Sequence, residues 1–236
     1  MQRIITVWFW GSLCMILASV LGVTQTDNFP DSWENSSLSG FRFDLSSSKF
    51  QFSKNDVKDV PSDRYQLYPA CTTLLRSQVN IEMHASLVYM NMAAHFDQNS
   101  VARKGFAKLF KKNSMEEREH AQKFIDYLNS RGSKFTDFNL DMPEKTSWSS
   151  AIEAVNDAIV LEKEVYNQLN HIHDIAEIHC KDAHLMDYLE NEFFTEQVES
   201  IDGFIRHATR LGHMANSDGL AEYLYDRELQ EKLDDE

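Results

Sequence analysis

The sequence predicts an all-α protein, a four-helix bundle with one long crossover connection and a short fifth helix. Two observations indicate this fold class. Only 4 Pro and 8 Gly occur in 236 residues, so long segments lack the residues that interrupt helices. Four of these segments carry apolar side chains at helical spacing, each over roughly 28 residues. With 42% hydrophobic residues, the chain can build one packed domain plus a tail.

The first helix is expected to run from about Pro69 to Phe96. Its apolar stripe consists of Ile81, Ala85, Val88 and Met92, which recur at a spacing of three or four residues. A helix of roughly 28 residues is about 42 Å long, which suits the long axis of a bundle.

The second helix is expected to follow after a short turn. Ser100 is its candidate N-cap, and the helix should reach about Ser130, where Gly132 ends it. Residues 133–146, with Pro143, then form a loop. Its length indicates a connection along the whole bundle rather than a tight hairpin, so the first and third helices should be antiparallel.

Ser147 or Ser149 is expected to cap the third helix, with Glu153 in its first turn. That helix should end near His179. After a short turn over residues 180–183, the fourth helix should reach about Gly212. The fifth, shorter helix should span residues 217–231.

Residues 1–22 have the form of a signal peptide. Arg3 precedes an apolar run from Ile4 to Val23, and a small residue, Gly22, stands near a plausible cleavage point. The run is also long enough for a transmembrane anchor. The polar stretch that begins at Thr24, with no basic flank, favours a cleaved leader. We therefore expect a secreted protein, or one in the lumen of the secretory pathway, with no membrane contact after cleavage.

Residues 23–64 are predicted to be an N-terminal extension, and residues 65–236 the helical domain. The extension is rich in Ser, Asp and Asn but also contains aromatic residues, which pure disorder usually lacks. It is expected to lie against its own or a neighbouring subunit. Asn35 begins an Asn-Ser-Ser sequon, which makes it a candidate glycosylation site in an exported chain.

The formal net charge is −14 at pH 7. An acidic chain without a basic patch excludes binding to nucleic acid or anionic lipid through phosphate contacts, and its surface attracts cations.

Cys71 and Cys180 remain after Cys14 leaves with the leader, and an exported pair can be oxidised. The start of the first helix and the turn after the third lie at one end of the predicted bundle. A disulfide within one subunit, a disulfide between subunits, or two free thiols all remain open.

Four predicted helices each place metal-binding side chains on one face. These are Glu82 with Tyr89, Glu117 with His120, Glu162, and Gln197. Hard iron prefers carboxylate oxygen, and imidazole suits ferrous iron. We expect a di-iron site in which Glu117 bridges, Glu82 and His120 hold one ion and Glu162 the other. Gln197 lies nearby, and Tyr89 hydrogen-bonds a ligand or donates an electron.

Each of these side chains has an ordinary interpretation. A single glutamate on a helix is usually solvated, a Glu-x-x-His pair occurs by chance, and Tyr89 suits a core position. The site prediction therefore depends on the recurrence of the set in four helices and on the sequence around it.

That surrounding sequence resembles the heavy-chain type of animal ferritin over roughly residues 65–226. The matching segments are NIEMHASLVY at 80–89, EEREHA at 116–121, LEK at 161–163, NEFFTEQV at 191–198 and GLAEYL at 219–224. The resemblance implies a hollow shell of 24 subunits that oxidises ferrous iron and stores ferric mineral. The leader and extension resemble those of secreted invertebrate ferritins.

By the same resemblance, the ferroxidase ligands are Glu82, Glu117, His120, Glu162 and Gln197, with Tyr89 as the site tyrosine. Asp187 and Glu190 match acids of the iron-uptake channel, with His173 near its mouth. Glu116 and Glu119 match the acids of mineral nucleation, whose third member is replaced by Gln122. The fifth helix would meet three copies at a fourfold axis.

We therefore expect a ferroxidase, with Fe(II) and O₂ as substrates and other ferritin subunits as partners, that acts in iron homeostasis. Iron is bound as substrate. Bacterial di-iron relatives carry a second Glu-x-x-His where this chain has Gln197 and Ser200, so iron should be held loosely. The alternatives are a structural shell or iron-transport subunit without ferroxidase activity, and a secreted signalling bundle.

Overall fold

The computed structural model describes residues 63–213 and 219–234. Its helices are α1 (Pro69–Asp97), α2 (Lys104–Ser130), α3 (Ala151–Ile175), α4 (Ala183–Leu189), α5 (Thr195–His213) and α6 (Leu220–Asp234). A π-helical turn, Ala176–Cys180, extends α3, and a second, Glu190–Phe194, joins α4 to α5. These ranges contain no strand, so the predicted all-α class is confirmed. Within them no helix has the length and apolarity needed to cross a membrane.

The four long helical segments form the predicted bundle, with α1 packed on α2 and α3 on α5. The connection from α2 to α3 runs along α1. Arg76 Nε donates to Lys134 O at 2.6 Å near one end of α1, and Asn91 Nδ2 donates to Lys145 O at 3.4 Å near the other. This confirms the long crossover and the antiparallel arrangement of α1 and α3.

A disulfide joins Cys71 in the first turn of α1 to Cys180 at the end of the π turn after α3, with a Cα–Cα distance of 6.5 Å. The pairing lies within one chain. Arg131 Nη2, 2.6 Å from Asp182 Oδ2, adds an ion pair at this end of the bundle. Of the three possibilities left open by the sequence, the structure adopts the intrachain disulfide.

The predicted N-cap of the second helix, Ser100, is wrong, because α2 begins at Lys104. Ala102 has a φ of 51°, in the left-handed region, which separates the turn at Ser100 from the helix. Arg103 is the N-cap residue but makes no side-chain cap. Instead, Asp226 on α6 accepts a hydrogen bond from Phe106 N.

The predicted cap of the third helix is also misplaced, because the N-cap is Ser150 rather than Ser147 or Ser149. Ser150 Oγ accepts a hydrogen bond from Glu153 N at 3.3 Å. Ser149 has a different part: its N and Oγ donate to the Glu153 carboxylate at 2.7 and 2.6 Å. The predicted place of Glu153 in the first turn of this helix is confirmed, whereas the capping serine lies one residue beyond Ser149.

The other helix ends agree with expectation to within a few residues. The predicted fifth helix is α6, which begins at Leu220. Its predicted first residue, Ser217, lies outside the described residues, as do the leader and Asn35.

Candidate metal centre

Three buried side chains from two helices meet in the middle of the bundle. Glu82 of α1 and Glu117 and His120 of α2 each place a ligand atom within 4.8 Å of the others. They are 0%, 3% and 8% exposed, respectively. The spacing of three residues puts Glu117 and His120 on one face of α2, and the packing of α1 against α2 adds Glu82.

Glu82 has one satisfied carboxylate oxygen and one free one. Gln78 Nε2 donates to Oε1 at 2.8 Å, whereas Oε2 is buried and receives no hydrogen bond from the described residues. Burial raises the pKa of Glu82 well above its usual value, and the charge of Glu117 raises it further. A buried carboxylate in this state is costly without a cation, so the free oxygen fits a metal ligand.

His120 lies between two carboxylates. Its Nδ1 is 3.4 Å from Glu117 Oε2, and its Nε2 is 3.0 Å from Glu196 Oε1. Burial lowers the pKa of His120, but the hydrogen bond to Glu196 and the charge of Glu82 outweigh it and raise the pKa overall. A hydrogen on Nε2, facing Glu196, leaves the Nδ1 lone pair directed at the Glu82 and Glu117 side.

Glu162 of α3 lies outside that three-residue cluster, lines the same cleft as Glu117 and His120, and is held by neutral donors. The Tyr89 hydroxyl donates to its Oε1, and the Gln197 amide donates to its Oε2 and, at 3.2 Å, to its main-chain oxygen. Burial raises the pKa of Glu162, although the bonds from Tyr89 and Gln197 oppose this. The Tyr89 ring is stacked against Phe110 and Phe204, with centroids 6.2 and 5.9 Å away.

A cleft of about 270 Å³ between α2, α5 and α6 reaches this centre. Its inner wall includes Glu117, His120 and Glu162, and its outer wall includes Leu229 and Lys232 of α6. The cleft therefore opens onto Glu117, His120 and Glu162, whereas Glu82 lies behind them and does not line it.

Of the predicted channel and nucleation acids, only Glu116 lies beside the buried cluster. Asp187 and Glu190 are exposed, and Glu190 Oε1 is 2.9 Å from His173 Nε2. Glu116 lines the cleft and is half-buried, and burial raises its pKa, whereas Glu119 is exposed. The structure describes a single subunit, whereas the predicted channel lies between subunits. The roles of these residues in iron entry and mineral nucleation stay predictions.

Two residues that contact the site, Gln78 and Glu196, were not identified from the sequence, and Ser200 was named there only as the counterpart of a ligand in bacterial relatives. Gln78 stands one helical turn before Glu82, a spacing that could have identified it. Ser200 stands three residues after Gln197, on the same face of α5, and lines the cleft that also contains Glu162. Glu196 follows no such pattern, because only the packing of α5 against α2 brings it to His120.

The sequence of this chain is similar to those of known proteins of one family. The family described as Ferritin, Ferritin-like domain, matches residues 72–214. The lower ferritin subunit of Aquarana catesbeiana is 36% identical over 165 residues, covering 70% of this chain and 95% of that protein. The heavy chain of ferritin-1 from Schistosoma mansoni is 38% identical, covering 70% and 94%. The soma ferritin of Lymnaea stagnalis is 40% identical over 154 residues, covering 65% and 87%.

Proposed function

Because the chain belongs to the ferritin family, we propose that it is the ferroxidase and iron-storage subunit of a secreted ferritin shell. One observation carries the ferroxidase assignment. Glu82, Glu117 and His120 converge in the bundle core, where a carboxylate oxygen of Glu82 receives no hydrogen bond from the described residues. A subunit that only builds the shell has no reason to bear the cost of this buried charge.

Iron is the substrate of this site. Glu117 bridges two ferrous ions, Glu82 and His120 complete one ion's ligands, and Glu162 holds the other. Two Fe(II), one O₂ and four waters give two ferric oxyhydroxide units, one hydrogen peroxide and four protons. The raised pKa of the buried carboxyl groups means that ion binding displaces protons from them, which couples iron uptake to proton release.

Three carboxylates supply less negative charge than two ferrous ions carry. Gln197 contributes a neutral amide, which donates to Glu162. We therefore propose that oxidised iron is held loosely and leaves through the cleft beside Glu116.

The proposed roles in iron entry, mineral growth and shell assembly follow the resemblance to ferritins. Asp187 and Glu190, with His173, would draw ferrous ions towards a channel between subunits, and Glu116 and Glu119 would start mineral growth. Twenty-four subunits would form the shell, with α6 at the fourfold axis. Exposed Leu220 and Leu224 on α6 support that contact, because apolar side chains favour burial.

Secretion is supported by the leader and by the Cys71–Cys180 disulfide, since such bonds persist in oxidising compartments. Glycosylation at Asn35 belongs to the same proposal. The alternative is a shell or iron-transport subunit without ferroxidase activity.

Oxidation of added Fe(II) by the purified, assembled protein separates these possibilities. Ultraviolet absorbance of ferric iron should rise quickly with wild type and slowly with Glu117→Ala. Glu164→Ala, a partly exposed site on α3, is the matched control and should oxidise iron like wild type. Equal rates for wild type and Glu117→Ala would reject the ferroxidase assignment and favour the structural subunit.

A further inference from the structure

Gln78 lies on α1, four residues before Glu82, and is completely buried. Its Nε2 is 2.8 Å from Glu82 Oε1. Its own Oε1 is also buried and receives no hydrogen bond from the described residues. The side chain therefore combines one well-made contact, to a carboxylate of the metal centre, with one unsatisfied polar atom.

An unsatisfied amide oxygen in a protein core destabilises the folded state. An apolar residue at position 78 would avoid that cost. What the amide gains in return is its bond to Glu82. That bond strengthens when a bound metal ion displaces the proton of Glu82, because a hydrogen bond to an ionised group is stronger than a neutral one. The contact also fixes which carboxylate oxygen remains free: Oε1 is occupied by Gln78, and Oε2 is left to the cluster.

We propose that Gln78 is a positioning residue that holds the Glu82 carboxylate so that Oε2 faces the metal beside Glu117 and His120. This inference rests on the proposed iron site. A neutral amide suits the task better than Lys or Arg, because a cation would orient Glu82 but cancel the charge that attracts ferrous ions. Groups that orient metal ligands typically change metal affinity by about 10- to 100-fold when removed.

Anaerobic titration with Co(II), followed by its visible ligand-field absorption, tests the proposal without turnover. The assembled wild-type protein is compared with Gln78→Met, which keeps the side-chain length but has no N–H donor. We expect Gln78→Met to bind the Glu117-dependent Co(II) about tenfold or more weakly, with an altered absorption band. Gln168→Met is the control. Gln168 of α3 is 5% exposed, and its Nε2 reaches no acceptor among the described residues.

Gln78→Asn provides a second route, because it keeps an amide but is one methylene shorter and cannot reach Glu82. Weakened Co(II) binding in both folded variants, with Gln168→Met unchanged, supports the proposal. Wild-type affinity in either folded Gln78 variant overturns it, as does an equal loss in Gln168→Met. If wild type itself shows no Co(II) absorption that Glu117→Ala removes, the metal site fails and the positioning role fails with it. The two failures are thus distinguishable.

Discussion

Asp226 of α6 caps the N-terminus of α2: its Oδ1 accepts a hydrogen bond from Phe106 N at 3.0 Å, across 120 positions of sequence. The first N–H groups of a helix have no partner within the helix. Arg103, the residue before α2, supplies none from its side chain. α6 therefore supplies the missing cap of α2. It is part of the folded subunit as well as a candidate contact between subunits.

We predict that Asp226→Ala destabilises the subunit by about 1–2 kcal/mol, because loss of a helix cap leaves a buried N–H unpaired. In a domain of this size, that corresponds to a melting temperature about 2–8 °C lower. Thermal unfolding of the protein with its disulfide intact measures this melting temperature. Asp226→Asn is the control, since its amide oxygen can still accept the bond and most of the stability should return. Equal melting of Asp226→Ala and wild type would show that the cap contributes nothing.

Gly105 of α2 packs directly against the main chain of α6, and among the described glycines it leaves the least room for a side chain. A Cβ at this position would lie 2.0 Å from Asp226 O, a main-chain atom that cannot rotate away. Gly105→Ala should therefore displace α6 and cost about 3 kcal/mol. Gly203→Ala is the matched control, because its Cβ would have nothing within 4 Å and a helical glycine gains from a methyl group.

Proteolysis after α5, together with urea denaturation, tests this pair. Gly105→Ala should become susceptible to cleavage between α5 and α6 and unfold at lower urea, whereas Gly203→Ala should resist both at least as well as wild type. Wild-type behaviour of Gly105→Ala would mean that α6 accommodates a methyl group here.

The Cys71–Cys180 disulfide closes a loop of 109 residues. By the chain-entropy relation, a crosslink of this span stabilises the folded state by about 4–5 kcal/mol, although measured values are often nearer 2–4. We predict that Cys71→Ser combined with Cys180→Ser lowers the urea midpoint substantially. Reductant should lower the wild-type midpoint to the same value and leave the double variant unchanged. A wild-type midpoint that does not respond to reductant, with two titratable thiols in the untreated protein, would contradict the disulfide.

Metal binding should strengthen as pH rises. Burial raises the pKa values of Glu82, Glu117 and Glu162 above those of the unfolded chain, which lie near 4.3. In the absence of metal, the stability that these groups contribute is complete below the unfolded pKa and is lost as pH rises through the folded pKa. A divalent ion compensates for that loss by replacing the departing protons.

The gain in melting temperature on adding Co(II) should therefore be larger at about pH 7.5 than at about pH 5.5. Glu117→Ala should show a much smaller gain at both pH values. A gain that is independent of pH in wild type would mean that ion binding does not displace protons from these carboxyl groups.

Gln197→Glu tests the loose binding of oxidised iron. A fourth carboxylate would balance the charge of two ferrous ions but would stand against Glu162, whose carboxylate now accepts the Gln197 amide. We expect tighter iron binding and slower release after oxidation, seen as a first turnover near the wild-type rate followed by a slower second. Gln98→Glu, an exposed change of the same kind in the turn after α1, is the control. Unchanged second turnovers in Gln197→Glu would reject the idea.

Most of the fold was predictable, because it follows from local patterns. The stripe of Ile81, Ala85, Val88 and Met92 marks α1, and the long polar connection before α3 indicates the crossover. The Ser100 prediction failed for a physical reason: a serine can cap a helix only if the backbone enters the helix there, and Ala102 does not allow it. The real cap, Asp226, comes from a distant helix.

The same distinction between local sequence pattern and packing of distant helices applies to the candidate site. Helical periodicity placed Glu117 and His120 on one face, and the recurrence of acids in successive helices pointed to Glu82 and Glu162. Periodicity describes each helix separately, so it determined which residues face the core. The same periodicity accounts for Gln78, which holds one oxygen of Glu82 from one turn away on α1. Only the packing of the helices decided that Glu196 meets His120 across two helices. Distances between helices depend on how side chains from several elements fill the same space, and no single segment of sequence contains that information.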